Sequence, residues 1–555
     1  MADAANVEDR VLRQHARAIV HMRGQLKEHR FGLVFGAGIG QDIQLPSWEE
    51  LVGRIANHPR VAGQDAVKVT SGMDQSHTIG IQKLFEWYRS KNLATNSANH
   101  RDRLNKEKFI IADWRSIVVS CLYATVDPLV YNPQAIKQSH PYLGAYEDII
   151  RASPVTINYN FDQTLQILLS DSISGLQPHA LHQRNFRTIS RGRVRSRRTS
   201  PVIYHPNGFL AQNLMESTDQ IVFTEESFAD QLLDMNQHKE DFLLHHFSNM
   251  TCLFIGISLN DANLKHLLRQ NASVNPGQCH YYVCFDEDGV LNTGAREAIR
   301  LANFQVYNLV TLFMGRQELA ALGRLLSTQD DMLRQQAETL SVNLKYVFYM
   351  TGPMGVGKST CLSHFYSATT LDEWTQERLP ALAKDRNTLE PAERDAVDEW
   401  LRGEFYRKNW NLSEARFGVI VVDRPPLDPL AFTDIEDWRK KAQDLRKAIV
   451  RGKGRRSIQP GYVILLTGDP HELYARIIPQ NKESSIKTLK EHQAFLEKIY
   501  EMKGVRRIDT RFLSVSEVVK RVSSIIHLQE YEEADLDDRL KHFADHGIAQ
   551  GELVL

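Results

Sequence analysis

Two glycine-rich stretches of this chain have the residue types and spacing to hold phosphate. The first is Gly36-Ala37-Gly38, with Gly40 two residues on, directly after the apolar run Leu33 to Phe35. Small residues after a strand let the backbone turn sharply and approach a phosphate closely. The second is Gly352-Pro353-Met354-Gly355-Val356-Gly357-Lys358-Ser359-Thr360, after the apolar run Lys345 to Met350. It has the form G-x-x-x-x-G-K-[ST], whose backbone N–H groups ring a phosphate, aided by the N-terminus of the following helix. Lys358 is then placed to pair with β and γ oxygens, and Ser359 to ligate magnesium. Other polar groups cluster at the ends of apolar runs: Asn158, Asn160 and Asp162; His205 and Asn207; Gly256 and Ser258; Asp423 and Arg424.

The elements that must position these residues alternate between strand and helix. Phe31 to Phe35 is β-branched and aromatic enough for a buried strand. Pro46 ends the loop after it, and Ser47 can cap a helix with Glu49 and Glu50 in its first turn. An amphipathic helix over 7–29 leads into this strand. Residues 52–150 show helical patterns and few strand signals, and read as a helical insertion, with His140-Pro141-Tyr142 as loop punctuation near its end. Strand character returns at Pro154 to Ile157, before a helix from Gln163 to Leu169, and again at Val202 to Tyr204, Leu253 to Ile255 and Tyr281 to Phe285. Thr224 is placed to cap the helix after Ile221 to Phe223. Beyond a linker-like helical stretch around 316–340, strands recur at Lys345 to Met350, Gly418 to Val422, Tyr462 to Leu466 and Ile508. Alternation of this kind predicts parallel α/β layers in both halves.

Composition narrows the class. At 555 residues the chain is long for one core, and length alone predicts about three or four domains. Hydrophobic content of 42% and charged content of 24% are ordinary for a globular protein. A net charge of −1 gives no global drive towards nucleic acid or an anionic membrane. Five scattered cysteines, none paired at zinc-ribbon spacing, point to reduced thiols in the cytoplasm. Met1 to Arg10 is too polar for a signal peptide, and no apolar stretch is long enough to span a membrane. The basic run Arg184, Arg187, Arg191, Arg193, Arg195, Arg197 and Arg198 is either a solvated loop or a contact for polyphosphate or nucleic acid.

The order of these motifs resembles the SIR2-like (sirtuin-fold) family. GAG followed by LPSW is similar to the family's GAG-x-S-x-x-x-G-[IL]-P, with Gly40 in place of the usual Ser and Gln44 in place of the usual Gly. Family members in bacterial antiviral defence often continue with a Trp and a Glu-rich helix, as here. Asn158 to Asp162 resembles T-x-N-[YF]-D, whose Asn lies against the nicotinamide ribose. The following helix selects Asn160 and Asp162, whereas the upstream Thr selects Asn158. Residues 253–264 resemble the late strand hhhG-x-S-h-x-D-x-N-[LM], with Gly256 and Ser258 at the cofactor's ribose and phosphate. The resemblance implies NAD+ as substrate, held by Gly36, Ala37, Gly38, Asp162, Gly256 and Ser258. Related proteins carry their catalytic base, a His, directly before Gly208; Asn207 stands there instead, and Asn takes no proton at neutral pH. Either His205 takes over as base, or the site binds NAD+ without fast turnover. No four-cysteine zinc module of the protein-deacylating sirtuins is present.

Residues 345–528 resemble P-loop nucleoside and nucleotide kinases, thymidylate kinase among them. The resemblance implies ATP or another NTP or dNTP with Mg2+, held by Gly352, Gly355, Gly357, Lys358, Ser359 and Thr360. Asp423 would be the catalytic or metal-holding acid beside Ser359, and Arg424 and Arg476 would hold phosphates. The usual second lid arginine is replaced by Asn481 and Lys482, with Arg451, Lys453, Arg455 and Arg456 available from another loop. The expected organisation is α/β throughout: a Rossmann-like SIR2 domain over 1–330 with its helical insertion, a linker over 331–344, a P-loop kinase-like α/β domain over 345–528, and a polar helical tail over 529–555. The family resemblances imply an antiphage effector that hydrolyses NAD+ under nucleotide control. They also allow a nucleotide kinase with a regulatory NAD-binding module. Nucleotides, a phage-derived trigger and further copies of the chain are the expected partners.

Overall fold

The computed structural model describes residues 2–40, 43–61, 76–93, 100–127, 131–170, 186–190, 201–218, 221–236, 241–287, 289–377, 379–383, 389–450, 457–480 and 484–547. The chain forms two compact units rather than the three or four that length suggests. One comprises Met1–Leu12, Gln25–Asn271 and His280–Asp330, and the other Arg13–Gly24, Ala272–Cys279 and Asp331–Leu555. Both are parallel α/β structures, as the alternating pattern predicts. Among the described residues no helix is long and apolar enough to cross a membrane.

The first unit is built on a seven-stranded parallel sheet. Its strands are β1 (Phe31–Phe35), β2 (Val155–Asn158), β3 (Arg187–Ser190), β4 (Val202–His205), β5 (Thr251–Ile255), β6 (His280–Phe285) and β7 (Leu309–Met314), in the order β3-β4-β2-β1-β5-β6-β7. Strands β1, β2, β4 and β5 are buried at every position, which is why they read as continuous apolar runs. The chain builds outward from β1 on the β2 side and then returns to β1's other side with β5. That reversal puts the carboxyl ends of β1 and β5 at the sheet's switch point, the position where open α/β sheets bind ligands. The insertion between β1 and β2 is helical, with His77–Leu93 and His100–Leu122 its longest elements. Trp114 packs there between Phe85 and Tyr88. Helix Arg316–Ser327, read from sequence as part of a linker, is core: Leu319, Leu322, Leu325 and Leu326 are buried.

The second unit carries a five-stranded parallel sheet of β8 (Lys345–Thr351), β9 (Thr369–Leu371), β10 (Gly418–Asp423), β11 (Tyr462–Thr467) and β12 (Val505–Asp509), in the order β12-β11-β8-β10-β9. β8 is central, so the loop after it lies at this sheet's own reversal point, between β10 and β11. The intended linker helix Asp330–Leu340 buries Leu333 and Ala337.

The polar tail expected over 529–555 is a correction. Tyr531 Oη accepts from Val347 N (3.0 Å) and donates to Val347 O (3.2 Å). Helix Leu536–His546 buries Leu536, Leu540, Phe543 and Ala544 in the same core as Trp438, Leu445 and Ile449. Its acidic residues occupy only the outer face, and that composition masked the buried stripe. Phe543 meets Trp438 edge-on at 5.4 Å. Phe543→Ala should therefore lower the unfolding free energy of this unit by about 3–5 kcal/mol. Denaturant titration checks this, and an unchanged midpoint would show that Phe543 adds nothing to this core.

Candidate functional sites

The first site is assembled by glycine packing. Gly36 N donates to Ile255 O (3.0 Å) and Gly38 N to Gly256 O (2.9 Å), so the turn after β1 lies directly on the turn after β5. A Cβ on Gly36 would sit 2.5 Å from Ile257 Cγ1, and one on Gly38 would sit 2.9 Å from Gly256 Cα. Gly256 itself has φ +66°. The glycines thus serve backbone-to-backbone contact, and two of their N–H groups are engaged by protein carbonyls. Ala37–Ile39 winds into a single 3₁₀ turn, and His140 Nε2 holds its end through Ile39 O at 2.9 Å. Sequence reading passed over His140 as loop punctuation.

The loop beyond is fixed by the expected cap. Ser47 Oγ accepts from Glu50 N (3.2 Å), and Glu50 Oε2 accepts from Ser47 N (2.8 Å), a closed capping box. Trp48 stacks on Phe223 at 5.4 Å and meets Phe161 edge-on at 5.9 Å. The LPSW, NFD and Phe223-Thr224 segments therefore share one aromatic cluster. Thr224 Oγ1 accepts from Ser227 N at 3.3 Å, the cap anticipated for that helix. Gln44 has φ +64°, the left-handed conformation that favours glycine. A cavity of about 420 Å3 opens beside it, lined by Gln44, Leu45, Ser47, Glu50, Arg54 and Thr125.

At the end of β2 the polar residues interlock. Asn160 Nδ2 donates to Gly36 O (2.9 Å), tying this segment to the glycine turn. Asn158 Oδ1 accepts from Asn160 N (3.1 Å). Asp162 Oδ1 accepts from Thr164 N (2.9 Å), so the carboxylate expected at the cofactor closes a local turn just before helix Thr164–Leu168, whose N-cap is Gln163. Burial pushes its pKa up, opposed by the Thr164 contacts. Ser258 is exposed, on the turn after β5.

His205 is not placed as a base. It is fully buried, its Nδ1 donates to Asn160 O (2.8 Å), and its Nε2 accepts from Gln166 Nε2 (2.8 Å). Both ring nitrogens are committed, and burial lowers the pKa to about 4, with the Asn160 carbonyl opposing. His205 is a strut for the Asn160 backbone. Asn207 is also buried; its Nδ2 reaches Tyr159 O at 3.4 Å. Among the described residues, Asn158 Nδ2, Gln166 Oε1 and Asn207 Oδ1 are buried without a hydrogen-bond partner. Buried polar atoms of this kind are rare in a satisfied core and fit a polar ligand.

Residues 154–309 match a SIR2-like domain. The match takes in β2 to β6 and associates this unit with NAD-related chemistry; the glycine turn after β1 lies before it. No curated protein matches the chain. Similar solved structures include thymidylate kinase from Candida albicans, at 15% identity over 33% of this chain and 91% of that one, with TM-score 0.24. Another is NadR protein in complex with NR, at 11% identity over 56% of this chain and 84% of that one, with TM-score 0.25.

The second site surrounds the loop after β8. Gly352, Gly355 and Gly357 have φ of +150°, +80° and +96°, so each glycine of the motif occupies a conformation other residues resist. Lys358 Nζ donates to Gly352 O (2.8 Å) and Pro353 O (3.1 Å). Burial first, and then Arg424, lower its pKa to about 8, against Asp423, Asp428 and Glu373. Ser359 and Thr360 are exposed, and Ser359 Oγ lies 3.4 Å from Asp423 Oδ2. Asp423 is buried, its pKa raised by burial, and its Oδ1 has no partner among the described residues. One hydroxyl and one carboxylate suit Mg2+, a hard cation that takes few protein ligands. No group of three metal-binding side chains occurs among the described residues.

Arg424 sits at φ +62° and pairs with Glu373 (2.6 Å). Asp428 Oδ1 accepts from Thr351 Oγ1 and Tyr500 Oη, both at 2.7 Å. Sequence reading missed Glu373 and Asp428, although Asp428 stands four residues beyond Arg424. Arg476 is not drawn in: it is exposed and lies 3.5 Å from Glu472. Helix Pro470–Ile477 instead braces the loop, since a Cβ on Gly355 would lie 2.7 Å from Ile477 Cγ2. Of the basic run, Arg187 lies on β3, while Arg184, Arg191, Arg193, Arg195, Arg197 and Arg198 fall outside the described residues, as do Arg451, Lys453, Arg455, Arg456, Asn481 and Lys482.

The His205 geometry has a spectroscopic consequence. Its imidazole gains a proton only as pH falls towards 4, so it stays neutral, with the proton on Nδ1, from pH 8 down to pH 5. Two-bond nitrogen–proton NMR spectra should show a constant neutral pattern for His205 across that range. A titration midpoint near 6.5 would restore it as a candidate base.

Proposed function

We propose that this chain is an antiphage defence effector that hydrolyses NAD+ in its SIR2-like unit, controlled by a nucleotide held in its P-loop unit. The observation that carries the reading is the knot at the ends of β1, β2 and β5. There Asn160 is tied to Gly36, beside the unpartnered Asn158 Nδ2 and Asn207 Oδ1. In the proposed reaction the bond between nicotinamide and ribose breaks and water adds to the ribose carbon. The water's proton leaves to solvent. Asn160 orients ribose or water, and His205 with Gln166 fixes the Asn160 backbone. No side chain in this cluster has to accept a proton at neutral pH; positioning supplies the acceleration. Asn160→Ala should lower nicotinamide release from NAD+ by about a hundredfold or more with the fold intact. Full activity in that variant would move the role to Asn158 or remove the hydrolase reading.

Control by nucleotide is tested through Lys358. Loss of its charge should abolish nucleotide binding and, with it, NAD+ hydrolysis, although no residue of the SIR2-like unit has changed. Such coupling requires the nucleotide to favour one conformation or assembly of the chain. The measurement is nicotinamide release by wild type and Lys358→Ala across a titration of ATP and dNTPs. Superimposable curves would exclude control through this loop. A second reading then leads, favoured by the Ser359–Asp423 arrangement: the P-loop unit is itself a phosphotransferase, and the SIR2-like unit a regulatory NAD-binding module. A phage-derived trigger, association of copies and cytoplasmic residence belong to the first reading.

A further inference from the structure

The long helix Pro391–Glu414 contains no residue that the motifs single out, yet one of its faces runs along the second site. Trp400, Glu404 and Lys408 are spaced four residues apart and therefore share that face. The Trp400 ring lies 5.1 Å from that of Trp374. Glu404 is 1% exposed and accepts from both the backbone N–H (2.5 Å) and the hydroxyl (2.7 Å) of Thr375. Lys408 is 3% exposed and donates to the backbone carbonyl of Asp423 at 2.7 Å.

These contacts bracket the Glu373–Arg424 pair from both sides. Thr375 stands two residues after Glu373, and the Asp423 carbonyl belongs to the peptide that leads into Arg424. That peptide ends β10 and enters a residue at φ +62°. A non-glycine residue there is strained by about 1–2 kcal/mol and persists only where its surroundings hold it. An apolar side chain of Lys408's size would leave the strand-end carbonyl buried and unpaired. A buried ammonium is the more demanding choice, because it must be compensated; Asp423, Glu373 and Glu404 lie around it. Glu404 is likewise balanced by Arg407 at 2.5 Å.

We propose that Glu404 and Lys408 are positioning residues of the nucleotide site: a two-armed clamp that fixes Asp423 towards the nucleotide's metal ion and Arg424 towards Glu373. The inference rests on the P-loop reading and adds to it a helix outside the recognised motifs. Lys408 acts through the Asp423 backbone, so its removal should alter how the metal is held more than how the phosphates are held.

The test uses the full chain and calorimetric binding of ATP and the four dNTPs, each with and without Mg2+. In wild type, Mg2+ should tighten binding of the preferred nucleotide. In Lys408→Met that tightening should shrink by about tenfold, the usual scale for a group supporting a metal ligand, while metal-free affinity stays within about twofold. Lys408→Arg, which keeps a cationic donor, should recover most of the loss. Glu404→Ala removes the Thr375 anchor and also one of the carboxylates that compensate Lys408, so it should show the same selective loss, and the proposal stays open to refutation if Lys408→Met does not fold. Unchanged tightening in either variant would overturn the clamp. An equal loss with and without Mg2+ would also overturn it, marking these residues as packing alone. A wild type that binds none of the five nucleotides would instead overturn the nucleotide reading, and the clamp with it.

Discussion

The first unit depends on one backbone contact, the seating of the turn after β1 on the turn after β5. Gly36 and Gly38 donate to the carbonyls of Ile255 and Gly256 at 3.0 and 2.9 Å. That approach is open only to residues without a Cβ, because the atoms met at 2.5–2.9 Å include backbone, which cannot swing aside. The contact fixes the turns at the carboxyl ends of β1 and β5 against each other. Asn160 then bonds to Gly36, His205 to Asn160, and Gln166 to His205. Each link is a buried hydrogen bond, so loss of one leaves a partner unsatisfied, at about 1–3 kcal/mol. The chain of bonds carries the constraint from the glycine turn through the loop after β2 to the end of β4.

The second unit solves a different problem, that of burying several cations close together in a place with little water. Lys358, Lys408 and Arg424 are buried or nearly so, and Asp423, Asp428 and Glu373 lie among them. Isolated, any of these charges would be expensive to bury; together they compensate one another. The glycines at positive φ shape the loop, while the carboxylates set how much positive charge it offers. The structural elements around the loop, Pro470–Ile477 and Pro391–Glu414, supply rigidity that no motif residue provides.

Much of this was legible in the residues, for local reasons. Ser47 and Thr224 cap helices because a hydroxyl before an apolar periodic run has few other uses. The parallel sheets follow from buried strands alternating with helices. Gln44 has φ +64° where the resembled pattern has glycine, a conformation that glycine adopts without strain. What was not legible depends on partners distant in sequence. His205 looked like a base because a spacing pattern cannot show that Asn160 O and Gln166 Nε2 occupy its two nitrogens. Asp162 looked like a cofactor contact, and its oxygen is used by Thr164 N two residues on. The tail read as polar and helical is helical at Leu536–His546, but composition averages over the two faces of a helix, and it is the face bearing Leu540 and Phe543 that meets Trp438.

Polar groups at the strand ends can be set against those of the core, although unpartnered buried atoms also occur elsewhere among the described residues, Trp87 Nε1 and His246 Nε2 among them. His280 is as buried as His205, and its partners are the backbone N–H of Cys252 and the amide of Asn271; it sits inside an aromatic cluster with Phe247 and Phe254 and serves the core. Asn158 and Asn207 are also buried, yet each keeps one amide atom without a protein partner among the described residues, and they stand at the carboxyl ends of β2 and β4. Asp423 repeats the pattern at the end of β10, with one oxygen near Ser359 and the other unpartnered. Where a strand end leaves a buried polar atom open on the carboxyl side of its sheet, as at Asn158, Asn207 and Asp423, a polar ligand can complete it. A ligand that supplies partners to these atoms couples its binding to the stability of the strand ends that hold it.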